Sequence, residues 1–167
     1  MNFHGNSIEE IINDFAKKIK YEITVFIKRL SNIAKIPTKG SEYAAGHDLY
    51  ATITEPIDIQ PHETEKINTD IAIELPKNTF GGIFARSGLA TKKGLRPANA
   101  VGVIDRDYRG NIIVALHNDS NDIQRVSPGE RIAQLIVIPY VPVSFEETDT
   151  LSSTDRDEGG FGSSGKF

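Results

Sequence analysis

The spacing of apolar residues along the chain changes period once. Between residues 7 and 20 it is helical, with Ile8, Ile11, Ile12, Phe15 and Ile19 on one stripe. Ser7 and Glu10 form a capping box. Glu9, Glu10 and Asp14 come early and Lys17, Lys18 and Lys20 late, the order a helix dipole favours. This predicts an amphipathic helix that docks its stripe on the domain; the other reading is that the stripe binds a membrane or a partner. From Ile23 onward the period is two. Strands are expected at 23–28, at 48–53 after a loop at 39–46, and through Ile67, Thr69, Ile71, Ile73 and Leu75, which alternate with polar neighbours. Further strands follow at 79–85, 111–117, 131–138 and 141–146, interrupted by one short helix at 87–93. Pro56, Pro61, Pro76, Gly81-Gly82, Pro97, Pro128-Gly129 and Pro139 punctuate the series. Many short strands at close spacing predict an all-β barrel or sandwich. The expected layout is a helical extension at 1–22, a β-barrel domain at 23–147, and a mobile arm at 148–167 that turns acidic and then rich in Gly and Ser.

Composition narrows the function. At 167 residues the chain is long enough for one domain with a real core. The net charge of −4 supplies no basic footprint, so general nucleic-acid binding is not expected. There is no cysteine, which excludes disulfides, thiolate nucleophiles and Cys-based zinc sites. His4, His47, His62 and His117 lack metal-ligand spacing. No apolar run has membrane-spanning length, and the first residues lack a signal-type apolar core. A soluble cytoplasmic protein with no membrane partner is expected.

Polar islands interrupt the strand pattern. The densest is Gly102-Val103-Ile104-Asp105-Arg106-Asp107-Tyr108-Arg109-Gly110, which reads as a hairpin joining an apolar strand to the one at 111–116. Its tip carries two carboxylates, two guanidinium groups and a phenol, and lacks the Asn-Gly or Asp-Gly of a minimal turn. A second island is Ala45-Gly46-His47-Asp48-Leu49. In a third, Ala85-Arg86-Ser87-Gly88-Leu89-Ala90, a strand breaks into a helix. That is either a capped helix start or a phosphate-binding device of amide nitrogens, a hydroxyl and a guanidinium. In the fourth, Arg131-Ile132-Ala133-Gln134-Leu135-Ile136, Gln134 shares a strand face with Ile132 and Ile136. It is either a buried structural amide or a ligand-facing one. The last island is the tail, where Gly160 to Lys166 has the G-x-x-x-x-G-K spacing of a phosphate loop. Phe167 stands where that loop needs Ser or Thr, so the match is rejected. Phe161 is a lone aromatic in a glycine tail and suits stacking.

These islands, AGHDLYA, ARSGLA, GVIDRDYRG, RIAQLI and R-D-E-GGFGSSG in that order, resemble the motifs of the trimeric deoxyuridine triphosphatase (dUTPase) family over residues 23 to 167. Ala85 stands where that family commonly has Pro. Asp157-Glu158 follows the arm's Arg156 where Gly and another residue usually stand, placing negative charge near a polyphosphate.

The resemblance implies a jelly-roll-like distorted β-barrel and a homotrimer with sites at its subunit interfaces. The reaction it implies is hydrolysis of dUTP to dUMP and pyrophosphate, which keeps uracil out of DNA and supplies dUMP for thymidylate synthesis. It implies Asp105 as the base that activates water against the α-phosphorus, and Tyr108 beneath the deoxyribose. Asn99 and the backbone of Gly102, Val103 and Ile104 would read uracil, with Arg86, Ser87, Gly88 and Gln134 on the phosphates. Asp48 would help place Mg²⁺ through water. From the arm, Arg156 and Ser163 would clamp the γ-phosphate while Phe161 covers the uracil, with Gly162 also binding substrate. Two other readings stand beside it: a dCTP deaminase on the same barrel, and a regulatory module that keeps the nucleotide site as a switch.

Overall fold

The computed structural model describes residues 23–159. The helix expected at 7–20 and the tail residues Phe161, Gly162 and Ser163 lie outside the described residues. Within them the chain forms β1 (Phe26–Arg29), β2 (Thr38–Lys39), β3 (His47–Tyr50), β4 (Ile57–Ile59), β5 (Thr64–Asn68), β6 (Ile71–Glu74) and β7 (Thr79–Phe84). Helix α1 (Ser87–Lys93) follows, then β8 (Leu95–Pro97), β9 (Gly102–Ile104), β10 (Ile113–Asn118), β11 (Gln124–Val126) and β12 (Arg131–Pro139). The fold is the expected all-β, jelly-roll-like barrel with one short internal helix. Among the described residues, no helix is long and apolar enough to cross a membrane.

The main sheet runs β2-β3-β12-β7-β9, a second runs β5-β10-β8, and β1-β6 and β11-β4 form two-stranded pieces. The β-branched run of β12 pairs with β3 on one side and β7 on the other. Leu49, Ile59, Ile67, Ile71, Ile83, Leu95, Ile112, Val114, Leu116, Ile132 and Leu135 close the single core between the sheets.

Four features differ from the strand pattern, each for a local reason. Ile67, Thr69, Ile71, Ile73 and Leu75 are all buried, as their alternation predicts, yet they span two strands in two sheets. β5 pairs with β10 and β6 with β1, and the chain changes sheet at Asp70, which adopts φ 49°. The charged segment 105–112 is not a hairpin tip. β9 pairs with β7 and β10 with β5 and β8, so the segment crosses between sheets. In β12 the register against β3 shifts between Arg131 and Ala133. This bulge turns both Ile132 and Ala133 into the core. Gln134 therefore faces away from Ile132 rather than sharing its face. Finally, 141–146 forms no strand: Val141, Val143 and Phe145 are 81%, 72% and 98% exposed, their alternation unmatched by a neighbouring strand among the described residues.

Helix α1 ends as its sequence dictates. Gly94 takes the left-handed C-cap (φ 66°), its N–H donating to Leu89 O, with Lys92 and Lys93 in the last turn. Near the end of β10, Asn118 is completely buried and fully bonded. Its Nδ2 donates to Ile59 O (3.0 Å), Gln60 O (3.2 Å) and Asp122 O (2.8 Å), and its Oδ1 accepts from Ser120 N (2.9 Å) and Oγ (2.7 Å). Replacing Asn118 by Ala strands these groups without water. We expect Asn118→Ala to lose about 3 kcal/mol or more in denaturant unfolding, since each buried unpaired group costs about 1–3 kcal/mol.

Candidate active site

Two strands and the turn that starts α1 converge on one carboxylate. Asp48 in β3 has a side chain only 12% exposed, and Arg86 Nε donates to its Oδ1 at 2.8 Å while Arg131 Nη1 donates to its Oδ2 at 3.1 Å. Arg86 also donates from Nη1 to Arg131 O at 3.3 Å. Arg86 is the N-cap residue of α1, and a guanidinium has no acceptor for the free N–H groups there, so the helix starts without a side-chain cap. Gln134 lies opposite both Asp48 and Phe84 in the sheet, and its Nε2 donates to Ala85 O at 2.8 Å. These groups line a cavity of about 250 Å³ with Gly40, Ala44, Gly46, Ser87 and Gly88. The chemistry is that of an anion cradle: two guanidinium groups with donors to spare, a hydroxyl and an amide, balanced by one carboxylate. Beside it, burial and the charge of Lys39 hold the imidazole of His47 below its ordinary pKa.

Both carboxylate oxygens of Asp48 accept from guanidinium groups, so a cation placed there would face two positive charges. Among the described residues no cluster of three His, Cys, Asp or Glu side chains could hold a metal ion.

The second group of expected residues sits elsewhere on the chain. Asp105 follows the edge strand β9 and lines a cleft of about 620 Å³ with Val103, Arg106, Asp107, Thr79, Phe80 and Tyr140. Gly102 is buried tightly against β7: a Cβ there would lie 3.1 Å from Ile83 Cβ and 3.4 Å from Asn99 Nδ2. Glycine thus lets the Asn99 amide lie over the strand. Tyr108 N donates to Asp105 O at 3.1 Å, so the carboxylate and the phenol share one turn. The two cavities have no lining residue in common. In the described part of the arm, Arg156 Nε donates to Gly159 O at 2.8 Å, a contact within the arm itself.

Sequence reasoning missed Arg131, which opens the RIAQLI stretch and holds Asp48 jointly with Arg86. It also gave no reason for Gly46. A Cβ on Gly46 would overlap Gln134 Oε1 and lie 3.1 Å from its Cδ. The extra methyl must displace the amide and its bond to Ala85 O. We expect Gly46→Ala to lower unfolding free energy by about 1–2 kcal/mol, the scale of a small overpacking plus a disturbed hydrogen bond. Gly40→Ala, where a Cβ meets nothing within 4 Å, should be close to neutral in the same thermal or denaturant scan.

Comparison with known proteins gives this geometry its chemistry. The family model for dUTPase matches residues 32–165. The deoxyuridine 5'-triphosphate nucleotidohydrolase of Hahella chejuensis is 41% identical over 144 residues, covering 86% of this chain and 95% of the relative. That of Haemophilus influenzae is 40% identical over 148 residues, covering 88% and 98%. Among solved structures, the Staphylococcus bacteriophage 80alpha dUTPase with dUpNHpp superposes with a TM-score of 0.75 at 29% identity, over 85% of this chain and 98% of that one. The dUTPase from phage phi11 of S. aureus, one of whose structures concerns a structural Mg(II) ion, shares the fold at a TM-score of 0.67 and 23% identity. The chain belongs to the dUTPase family and is a hydrolase of dUTP.

Proposed function

We propose that the chain cleaves dUTP to dUMP and pyrophosphate, by attack of water on the α-phosphorus, at a site completed between copies in a homotrimer. The observation that carries this reading is the separation of the two half-sites within one chain. Asp105 follows Ile104, which pairs with Gly81 of β7, whereas Arg86 and Ser87 lie past the other end of β7, roughly 16 Å along the chain from Gly81 at ~3.3 Å per residue. A general base must come within about 3 Å of the proton donor it serves. Asp105 of one chain therefore cannot serve an α-phosphate bound in the cradle of the same chain. A neighbouring copy can bring one half-site to the other.

In this reading Arg86, Ser87, Gly88 and Gln134 hold the phosphates, and Arg131 joins them. Asp48 keeps the two guanidinium groups together and would help hold a hydrated Mg²⁺, whose charge would offset that of the phosphates. The outer edge of β9, unpaired among the described residues, offers backbone groups from the stretch Gly102 to Ile104 to the imide edge of uracil, with Asn99 beside them. A cytosine edge would leave such fixed donors and acceptors mismatched. Tyr108 lies beneath the deoxyribose. Asp105 orients the attacking water and takes its proton. The neighbour's arm brings Arg156, Gly162, Ser163 and Phe161 over the bound nucleotide. The relatives named above are hydrolases, and neither deamination nor a silent regulatory barrel gains support from the geometry.

Asp105→Asn keeps the shape and removes the negative charge. Pyrophosphate release should fall by about 10²–10⁴ while dUTP affinity stays within about tenfold. A variant that keeps a tenth of the wild-type kcat shows that Asp105 is not the base.

The arm should act on a neighbour. From Phe145 to Phe167 the chain reaches roughly 70 Å when extended, at ~3.3 Å per residue. Asp105→Asn chains refolded with an equal amount of chains truncated after Asp149 should regain activity although each parent is inactive. With random assembly, about three quarters of trimers are mixed and each holds one working junction, so roughly a quarter of wild-type activity should return. Mixed trimers, confirmed by mass, that stay silent would end the claim.

A further inference from the structure

Tyr108 folds back on its own segment, and three neighbours outside the expected site make that path available. Its hydroxyl donates to Asn111 O at 2.9 Å. A Cβ on Gly110 would overlap that hydroxyl and lie 2.6 Å from the ring carbon Cζ, so glycine is required where the ring passes. Asn111 is held in turn: its Nδ2 donates to Asp70 Oδ1 at 3.0 Å and to Asn68 Oδ1 at 3.3 Å. The backbone around it is clamped to the same turn. Ile112 N donates to Ile71 O at 2.9 Å, and Thr69 donates to Ile112 O from Oγ1 at 2.6 Å and from N at 3.2 Å.

Two details show that the Asn111 side chain is kept as a donor. The Asp70 carboxylate offers acceptor oxygens, which orients the amide nitrogen toward it. Asn111 Oδ1 has no partner among the described residues, so the side chain's hydrogen bonds there are the ones it donates. Asp70 itself belongs to rigid structure: it stands at the sheet change with φ 49°, and its carbonyl accepts from Leu30 N at 2.8 Å.

We infer that Asp70 and Asn111 are positioning residues for Tyr108 and thereby set the preference for a deoxyribose over a ribose. The inference rests on the reading of Tyr108 as the residue beneath the sugar. A ring held against a fixed carbonyl excludes a 2′-hydroxyl; a ring free to tilt away admits it. Asp70 touches no substrate, so its effect reaches the sugar through Asn111 and the phenol.

The test measures kcat/KM for dUTP and for UTP in folded protein. Asp70→Gly removes the acceptor and accepts the left-handed turn, while Asp70→Asn keeps an acceptor and tolerates the same φ. Asn111→Ala and Tyr108→Phe break the same chain at its later links without touching the turn. Asp70→Gly, Asn111→Ala and Tyr108→Phe should each lower the dUTP-over-UTP ratio about tenfold, and Asp70→Asn should stay within about threefold of wild type. The double variant Asp70→Gly/Asn111→Ala should fall no further than either single one, because both act on one linkage. Equal losses on both substrates would make the link merely structural and overturn the inference, as would additive losses in the double variant. If Asp70→Gly fails to fold, Asn111→Ala and Tyr108→Phe decide, and an unchanged ratio in both overturns it. Tyr108→Ala separates the levels. An unchanged ratio there removes the reading of Tyr108 itself. A lost preference there, alongside full preference in Asn111→Ala and Tyr108→Phe, removes only the positioning inference.

Discussion

The arrangement depends first on one carboxylate that holds two guanidinium groups. Without Asp48, Arg86 and Arg131 would face each other across a small cavity with no counter-charge, and like charges at that range repel. With it, the pair becomes an anchored unit: Arg86 spends Nε and Nη1, Arg131 spends Nη1, and the other N–H groups stay available. Each guanidinium has five donors, so a cradle of net charge +1 still points several of them at an anion. The same contact ties β3 to β12 and to the turn that starts α1. Sheet geometry and the placement of both guanidinium groups therefore rest on one interaction, and disturbing either disturbs both.

A second constraint is that the chain keeps leaving its sheets. Asp70 ends one pairing and begins another, the bulge at Arg131 to Ala133 reverses the parity of β12, and 105–112 crosses from the main sheet to the second. Each break turns a polar side chain outward that regular alternation would have buried or paired. Gln134 is the clearest case. Without the bulge it would lie on the face of Ile132 in the core, where its amide would need partners; with the bulge its Nε2 reaches Ala85 O and its Oε1 the space that Gly46 leaves. Such breaks cost ladder hydrogen bonds, and they occur where the candidate site is.

Much of this was legible from periodicity. The alternation of Ile67 to Leu75 predicts which side chains are buried, because burial depends on which way each residue points. It cannot reveal that the run is split at Asp70, since a left-handed residue there preserves the parity on both sides. The helix at Ser87–Lys93 was readable because Gly94 and the late lysines mark its end. The segment 105–112 was misread as a hairpin for a related reason: two apolar runs around a polar turn look alike whether the second run pairs with the first or with another sheet. The residues that bear charge and hydroxyl groups were visible in the motifs. Their supports were not. Gly46 stands in a motif that gives no sign of its neighbour Gln134, and Asn111 meets Asp70 only through the fold. Arg131 was overlooked because an Arg at the mouth of a strand is usually only solvated.

The crossover 105–112 explains how the proposed base, Asp105, and the ring proposed to face the sugar, Tyr108, can be set by the same few bonds. Its front end emerges from β9 at the edge of the main sheet, and its back end is fixed by Ile112, fully buried beside β5 and β6. Asp105 and Tyr108 are joined across the turn by the Tyr108 N–H to Asp105 O bond, and Tyr108 is joined to the buried end through Asn111. A shift of one sheet against the other must therefore move both side chains together rather than either alone. The proposed reaction needs both in register with one nucleotide, so the demand falls on the packing between the sheets as well as on the loop's own sequence. That is why a segment 43% exposed at its tyrosine can still hold a geometry: its rigidity is borrowed from Ile112 and Asp70, where the chain is buried or clamped.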